Sequence, residues 1–314
     1  MCRGMPFLRV AHRGGAALNP ENTLSAFADA LARGVDGAEL DVQLTRDGHA
    51  VVFHDFRLQP DICRDDDGQW LSAPAPKIVE SSLSELEAID VGRARPGSDY
   101  ARGHPLLEGT DNERIPLLGE VVELVRHSAK PFLLFVELKS SFVDPGLSAP
   151  PELLAEKALS VLASANYLPY TVFVGFDWRG LMRIKALAPS ARCWFTTLAQ
   201  SWFREGAPPP EDAPPPAPAL QVLRTWAQTG TSPWAAGFDP VKFGGSILKA
   251  IKAAGGDGWF AYSGDATKES IAAAHDLGLK AGVWTVDNPY EMRMLATYGI
   301  DAICTDRTDL IMSL

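Results

Sequence analysis

The sequence predicts an α/β protein built as a (β/α)8 TIM barrel, with a small insertion after a hairpin on the second strand. Strand-like apolar runs alternate with helix-like segments through most of the 314 residues, which is the signature of a parallel sheet closed by helices. Ten such runs can be drawn, at 7–12, 37–45, 50–55, 131–138, 170–176, 192–198, 235–239, 258–263, 280–286 and 302–305. Two are surplus to a barrel. The 50–55 run follows 37–45 after too few residues for a parallel crossover, so it reads as the returning arm of a hairpin. The 258–263 run has Gly on both sides and reads as a loop. Eight strands remain, the number an ordinary barrel needs. A doubly wound sheet is the alternative.

Taken in order, Phe7-Leu8-Arg9-Val10-Ala11 forms the first strand and ends in His12-Arg13-Gly14. Periodic apolar positions predict helices over 22–33, 117–128, 151–165, 178–187, 246–254, 267–277 and 289–298. Between the first two helices lies the hairpin, turned at Asp47-Gly48, where Gly tolerates the positive φ of a tight turn. With those two residues as the loop, Asp41 faces His54. Glu39, Asp41, Gln43, Val52 and His54 then share one face, and Leu40, Val42, Leu44, Val51 and Phe53 share the other. Residues 56–115 have no long periodic element and read as an insertion over one end of the barrel. A second interruption, the excursion at 199–230, contains the proline-rich run 207–218, which reads as a stiff surface loop. The whole chain, 1–314, is expected to form one domain.

Bulk composition narrows the function. Lys and Arg number 29 against 39 Asp and Glu, a net charge of −10, and no basic run is present. Nucleic acid is therefore excluded as a partner, and a small-molecule substrate is favoured. Cys2, Cys63, Cys193 and Cys304 are scattered without paired spacing, so reduced thiols are expected. There is no transmembrane run and no cleavable leader pattern, which points to the cytoplasm. Oligomeric state is not legible.

The chemistry lies at the strand ends. Polar residues just past a barrel strand sit at the C-terminal face, where barrel enzymes assemble their sites. His12 and Arg13 end the first strand, Glu39 and Asp41 close the second, and Glu137 and Lys139 close the third, two residues apart and on one face. Taken singly, each has a plain explanation: an exposed ExD pair, a hairpin-capping imidazole, a structural ion pair. Their arrival together on one rim argues for a site. Three clustered carboxylates repel one another unless a cation sits among them, and all-oxygen ligation suits Mg2+, Ca2+ or Mn2+. Arg13 and Lys139 suit an anionic substrate, and two histidines suit acid–base chemistry on a phosphate ester. His49, His104, His127 and His275 have no comparable setting and read as ordinary.

These residues resemble the glycerophosphodiester phosphodiesterase family. The resemblance runs through His12-Arg13-Gly14, Pro20-Glu21-Asn22-Thr23, Glu39-Leu40-Asp41-Val42, His54-Asp55, Glu137-Leu138-Lys139, Val283-Trp284-Thr285-Val286-Asp287-Asn288 and Thr305-Asp306-Arg307. It implies a (β/α)8 barrel holding one divalent cation, Mg2+ or Ca2+, and hydrolysis of glycerophosphodiesters to sn-glycerol 3-phosphate and an alcohol. It implies roles too: Glu39, Asp41 and Glu137 as metal ligands, His12 and His54 as the acid–base pair, Arg13 and Lys139 on the phosphate. Trp284 would line the glycerol end and Phe176 the mouth, while Glu21 would orient Arg13 and open the first helix with Asn22 and Thr23. The long 56–115 insertion and the proline-rich loop depart from the family pattern. Two rival readings share part of the pattern: a phospholipase D-like enzyme acting on lysophospholipid or sphingomyelin, and a barrel that binds metal without turnover. The PENT segment and Glu137 disfavour the first, and the intact histidines disfavour the second.

Overall fold

A computed structural model describes residues 7–200, 221–223, 225–226, 229 and 231–314. The proline-rich run 207–218 and most of the 199–230 excursion lie outside the described residues. Eight parallel strands form a closed barrel: β1 (Leu8–Ala11), β2 (Gly37–Leu44), β4 (Leu133–Leu138), β5 (Thr171–Gly175), β6 (Arg192–Thr197), β7 (Gly258–Tyr262), β8 (Lys280–Trp284) and β9 (Ala302–Thr305). Closure comes from β1, which pairs in parallel with both β2 and β9. The ninth strand, β3 (Ala50–Val52), runs antiparallel to β2 as the hairpin arm.

Strand alternation sorts the side chains into two layers. On β4, Leu134, Val136 and Leu138 face outward into the core shared with the helices, while Phe135 faces the barrel interior with Val10, Val172, Val174, Trp194, Phe260, Ala302 and Cys304. Phe135 meets Trp194 edge to face, with ring centroids 5.3 Å apart, a geometry that favours aromatic pairs. Glu137 is two residues beyond Phe135, so it stands on the same inner column, one layer higher. The hydrophobic fill thus ends where the charged layer starts. No described helix is long and apolar enough to cross a membrane.

Two expectations about the strands require correction. Residues 235–239 are not a strand: Pro233–Ala235 is a short 3-10 turn, and Ala236 follows with φ 51°. The run at 258–263, read as a loop because of its glycines, is β7, paired to β6 and β8. Its Gly258 is opposite Trp194, and a Cβ there would stand 2.6 Å from the indole carbons. Gly282 on β8 is constrained by the same ring at 2.8 Å. These glycines make room for a large side chain from another strand, which is a packing reason and not a turn signal.

The hairpin register is one residue from that expected. Val42 pairs with Val52, Gln43 with Val51 and Leu44 with Ala50. The loop is therefore Arg46-Asp47-Gly48, a three-residue turn in which Gly48 supplies φ 84°. Val52 joins the outward face with Val42, while Val51 and Phe53 turn into a satellite core with Leu58, Ile62, Ile78, Leu86, Ile89, Val91 and Ile115. That cluster gives the 56–115 segment its own small interior. The first helix also starts later than predicted, at Leu24 rather than 22, capped by the Thr23 hydroxyl accepting from the Ala26 N–H at 3.2 Å.

Candidate active site

At the C-terminal mouth, β2 and β4 lie in register with Asp41 level with Glu137. Glu39 and Asp41 are each 1% exposed and Glu137 9%, and one ligand oxygen from each lies within 4.8 Å of the others. Asn22 clamps Asp41 from both sides. Its Nδ2 donates to Asp41 Oδ2 at 2.8 Å, and its Oδ1 accepts from the Asp41 N–H at 3.3 Å. Glu39 Oε2 accepts from the Arg13 N–H at 3.1 Å, an approach made possible by Arg13 adopting φ 49°, ψ 30°. A left-handed non-glycine residue is strained backbone, of the kind that recurs at functional sites.

Glu39 Oε1 is buried with no hydrogen-bond partner, which is costly for a carboxylate unless something else satisfies it. Burial, with Asp41 and Glu137 close by, drives the Glu39 carboxyl well above its usual range, whereas Lys139, His54 and Arg13 overcome the burial of Asp41 and hold it ionised. Three buried carboxylates, one of them, Glu39, both orphaned and hard to ionise, fit a hard divalent cation.

The histidines are each held by a carboxylate. His12 Nδ1 donates to Asp306 Oδ1 at 2.7 Å, which turns Nε2 toward Glu39 Oε2, 3.9 Å away. Burial and Arg13 oppose a charge on His12, but Asp306 and Glu39 outweigh them and lift its pKa to about 9. His54 Nδ1 donates to Asp55 Oδ1 at 2.9 Å. Both imidazoles line one cleft of about 260 Å³, with Arg13, Glu21, Gln59, Tyr100, His104 and Asp306.

The chain matches the Glycerophosphoryl diester phosphodiesterase family over residues 12–310, almost its full length. It belongs to that family. It is 27% identical over 314 residues to a glycerophosphodiester phosphodiesterase of Caldanaerobacter subterraneus, covering 99% of this chain and 98% of the relative. A crystal structure from Silicibacter pomeroyi, described as a glycerophosphoryl diester phosphodiesterase, superposes with TM-score 0.79 at 30% identity, covering 98% of this chain and 93% of that one. At 22% identity and TM-score 0.66, an Oleispira antarctica phosphodiesterase solved with its product sn-glycerol 3-phosphate shares the fold over 98% of this chain and 96% of its own.

Within this family member the predicted cations also converge on the carboxylates. Lys139 Nζ lies 2.9 Å from Glu137 Oε1 and 3.5 Å from Asp41 Oδ1. Arg13 Nη1 donates to Glu21 Oε1 at 2.9 Å, and its Nε is 3.4 Å from Asp41 Oδ2. Both stay protonated: burial disfavours their charge, but the acids around them more than compensate. Phe176, at the end of β5, meets Trp284, at the end of β8, edge to face at 5.3 Å across the mouth. Phe176 also lines a second cleft, about 320 Å³, with Phe56, Phe142, Val143, Leu147 and Leu198, and this cleft reaches His54, Glu137 and Lys139. A polar and an apolar cleft thus meet at His54.

Every predicted site residue reaches this mouth. Sequence reasoning missed several others. Asp306 stands in Thr305-Asp306-Arg307, which assigns it no role on its own, and Asn22, expected as a helix opener, is the clamp on Asp41. Gln43 Nε2 donates to the carbonyls of Phe53 at 2.7 Å and Asp55 at 2.8 Å, shaping the turn that delivers His54. Tyr100, from the insertion, donates to Glu21 Oε2 at 2.7 Å. No periodicity in the sequence pointed to it.

Proposed function

We propose that this chain is a metal-dependent phosphodiesterase hydrolysing glycerophosphodiesters to sn-glycerol 3-phosphate and an alcohol. The observation that carries the reading is the buried Glu39/Asp41/Glu137 triad flanked by two histidines, each oriented by its own carboxylate. Glu39, Asp41 and Glu137 would hold one divalent cation, Mg2+ or Ca2+, by oxygen ligation. Bound there, the cation would supply Lewis-acid polarisation of a phosphate oxygen. The product seen in the Oleispira antarctica enzyme is of the same class as the one proposed for this chain.

The protein's own groups do the rest. Arg13 and Lys139 bind and orient the phosphate oxygens, Arg13 being aimed by Glu21. Asp306 and Asp55 accept from Nδ1 of His12 and His54, so each ring presents Nε2 to the cleft. One imidazole takes the proton from the nucleophile and the other protonates the departing alcohol. Phe176 lines the apolar cleft, and Trp284, packed edge to face on it, faces the glycerol end. The 56–115 segment caps the barrel within a single catalytic domain spanning 1–314. Cys63, Cys193 and Cys304 are buried free thiols, which suits a reducing compartment such as the cytoplasm.

The test is turnover of glycerophosphocholine by wild type, His12→Ala and His54→Ala. Loss of an acid–base group should lower kcat by roughly 10²–10⁴-fold. Full activity in either variant would remove that residue from the chemistry.

A further inference from the structure

His104 belongs to the insertion, at the end of the short helix Asp99–Gly103. It sits on the wall of the polar cleft with His12, Arg13, His54 and Asp306. Its ring stacks on Tyr100 at 4.0 Å and 16°, and Tyr100 is itself tied to the barrel through Glu21. The Nδ1 of His104 lies 2.8 Å from the Tyr100 carbonyl. A carbonyl only accepts, so Nδ1 carries a proton and Nε2 is the ring's remaining polar atom, an acceptor whenever the imidazole is neutral. No described residue pairs with that nitrogen. A half-buried imidazole held on the cleft wall therefore has one ring nitrogen left for whatever fills the cleft.

We infer that His104 is a specificity-determining residue that accepts a hydrogen bond from a glycerol hydroxyl of the substrate. The inference rests on the proposed glycerophosphodiester reading. The two clefts that meet at His54 differ in character, and hydroxyls buried without partners are penalised, so the arm bearing them belongs on the polar side. Within that cleft Arg13 is cationic, Glu21 is engaged by Arg13 and Tyr100, and Asp306 and Asp55 hold His12 and His54, while the His104 ring has no hydrogen bond among the described residues besides the one to the Tyr100 carbonyl. The selectivity is thus supplied by the inserted segment and not by the barrel.

The experiment compares binding of sn-glycerol 3-phosphate and propyl phosphate, which lacks both hydroxyls, by titration calorimetry in Mg2+ buffer. Wild type should favour glycerol phosphate. His104→Phe keeps the stack on Tyr100 and should lose about 5- to 10-fold for glycerol phosphate, the range of one hydrogen bond, while changing propyl phosphate less than twofold. His104→Gln, which restores an acceptor, should recover part of the loss. Equal losses on both ligands, no loss on either, or a wild type without preference would overturn the assignment. Glycerophosphocholine turnover is measured in parallel. Preference lost in His104→Phe with no turnover in wild type would sink the diesterase reading and leave His104 standing, whereas turnover without preference would do the reverse.

Discussion

Replacing Asp306 with Asn tests how the barrel aims its first histidine. The change is nearly isosteric, so packing around the β9 end is kept, and Thr305 and the Asp306 N–H still reach Asp287 Oδ1 at 2.9 and 2.8 Å. What is lost is a charge-assisted bond of 2.7 Å to His12 Nδ1. Hydrogen bonds to charged groups contribute about 1.5–3 kcal/mol, so kcat/KM should fall roughly 10- to 150-fold. The assay is steady-state hydrolysis of glycerophosphocholine, with thermal unfolding as a control for folding. Because Asp306 acts through His12, the double variant His12→Ala/Asp306→Asn should be no slower than His12→Ala alone. A single variant within twofold of wild type, or a double variant whose losses multiply, would refute the coupling.

Two further outcomes test the fold itself. Gly258→Ala drives a Cβ to within 2.6 Å of the Trp194 indole and should lower stability in urea by about 1–3 kcal/mol; an unchanged midpoint would mean that the ring moves freely. At the opposite end of the barrel, Asp301 pairs with Lys280 Nζ at 2.7 Å, His275 Nε2 at 2.8 Å and the Ala281 N–H at 2.9 Å. Burial would raise its pKa, but these partners lower it below the usual carboxylate value. The stabilisation is therefore present above the unfolded pKa of about 3.9 and is lost as pH falls through the lower folded value. Asp301→Asn should destabilise by the order of 1 kcal/mol at pH 7, with the difference shrinking below about pH 4. A difference constant from pH 7 to about pH 3 would contradict the pairing.

The parts of this architecture written in local pattern were legible in advance. Parallel barrel strands are buried, so β4 stands out as a nearly continuous apolar run and β2 as an alternation of apolar and polar residues, and their acids fall at one rim because the strands are parallel. What failed depended on partners distant in sequence. Gly258 reads as a breaker until Trp194, on another strand, is known to lie against it. Asp47-Gly48 signals a hairpin but does not distinguish a two-residue from a three-residue loop, and the choice shifts every cross-strand pair by one. Asp306 meets His12 across 294 residues and Tyr100 meets Glu21 across 79. Such pairings are set by barrel closure and by the docking of the insertion, neither of which leaves a local trace.

The claim on which the rest depends is that the carboxylate triad works by holding a cation. Its most direct test is glycerophosphocholine hydrolysis after exhaustive chelation, followed by return of Mg2+ or Ca2+, in wild type and Glu137→Gln. Activity should vanish on chelation and return with metal in the wild type, and should fail to return in the variant at the same metal concentration. Undiminished hydrolysis in the chelated protein would contradict the account.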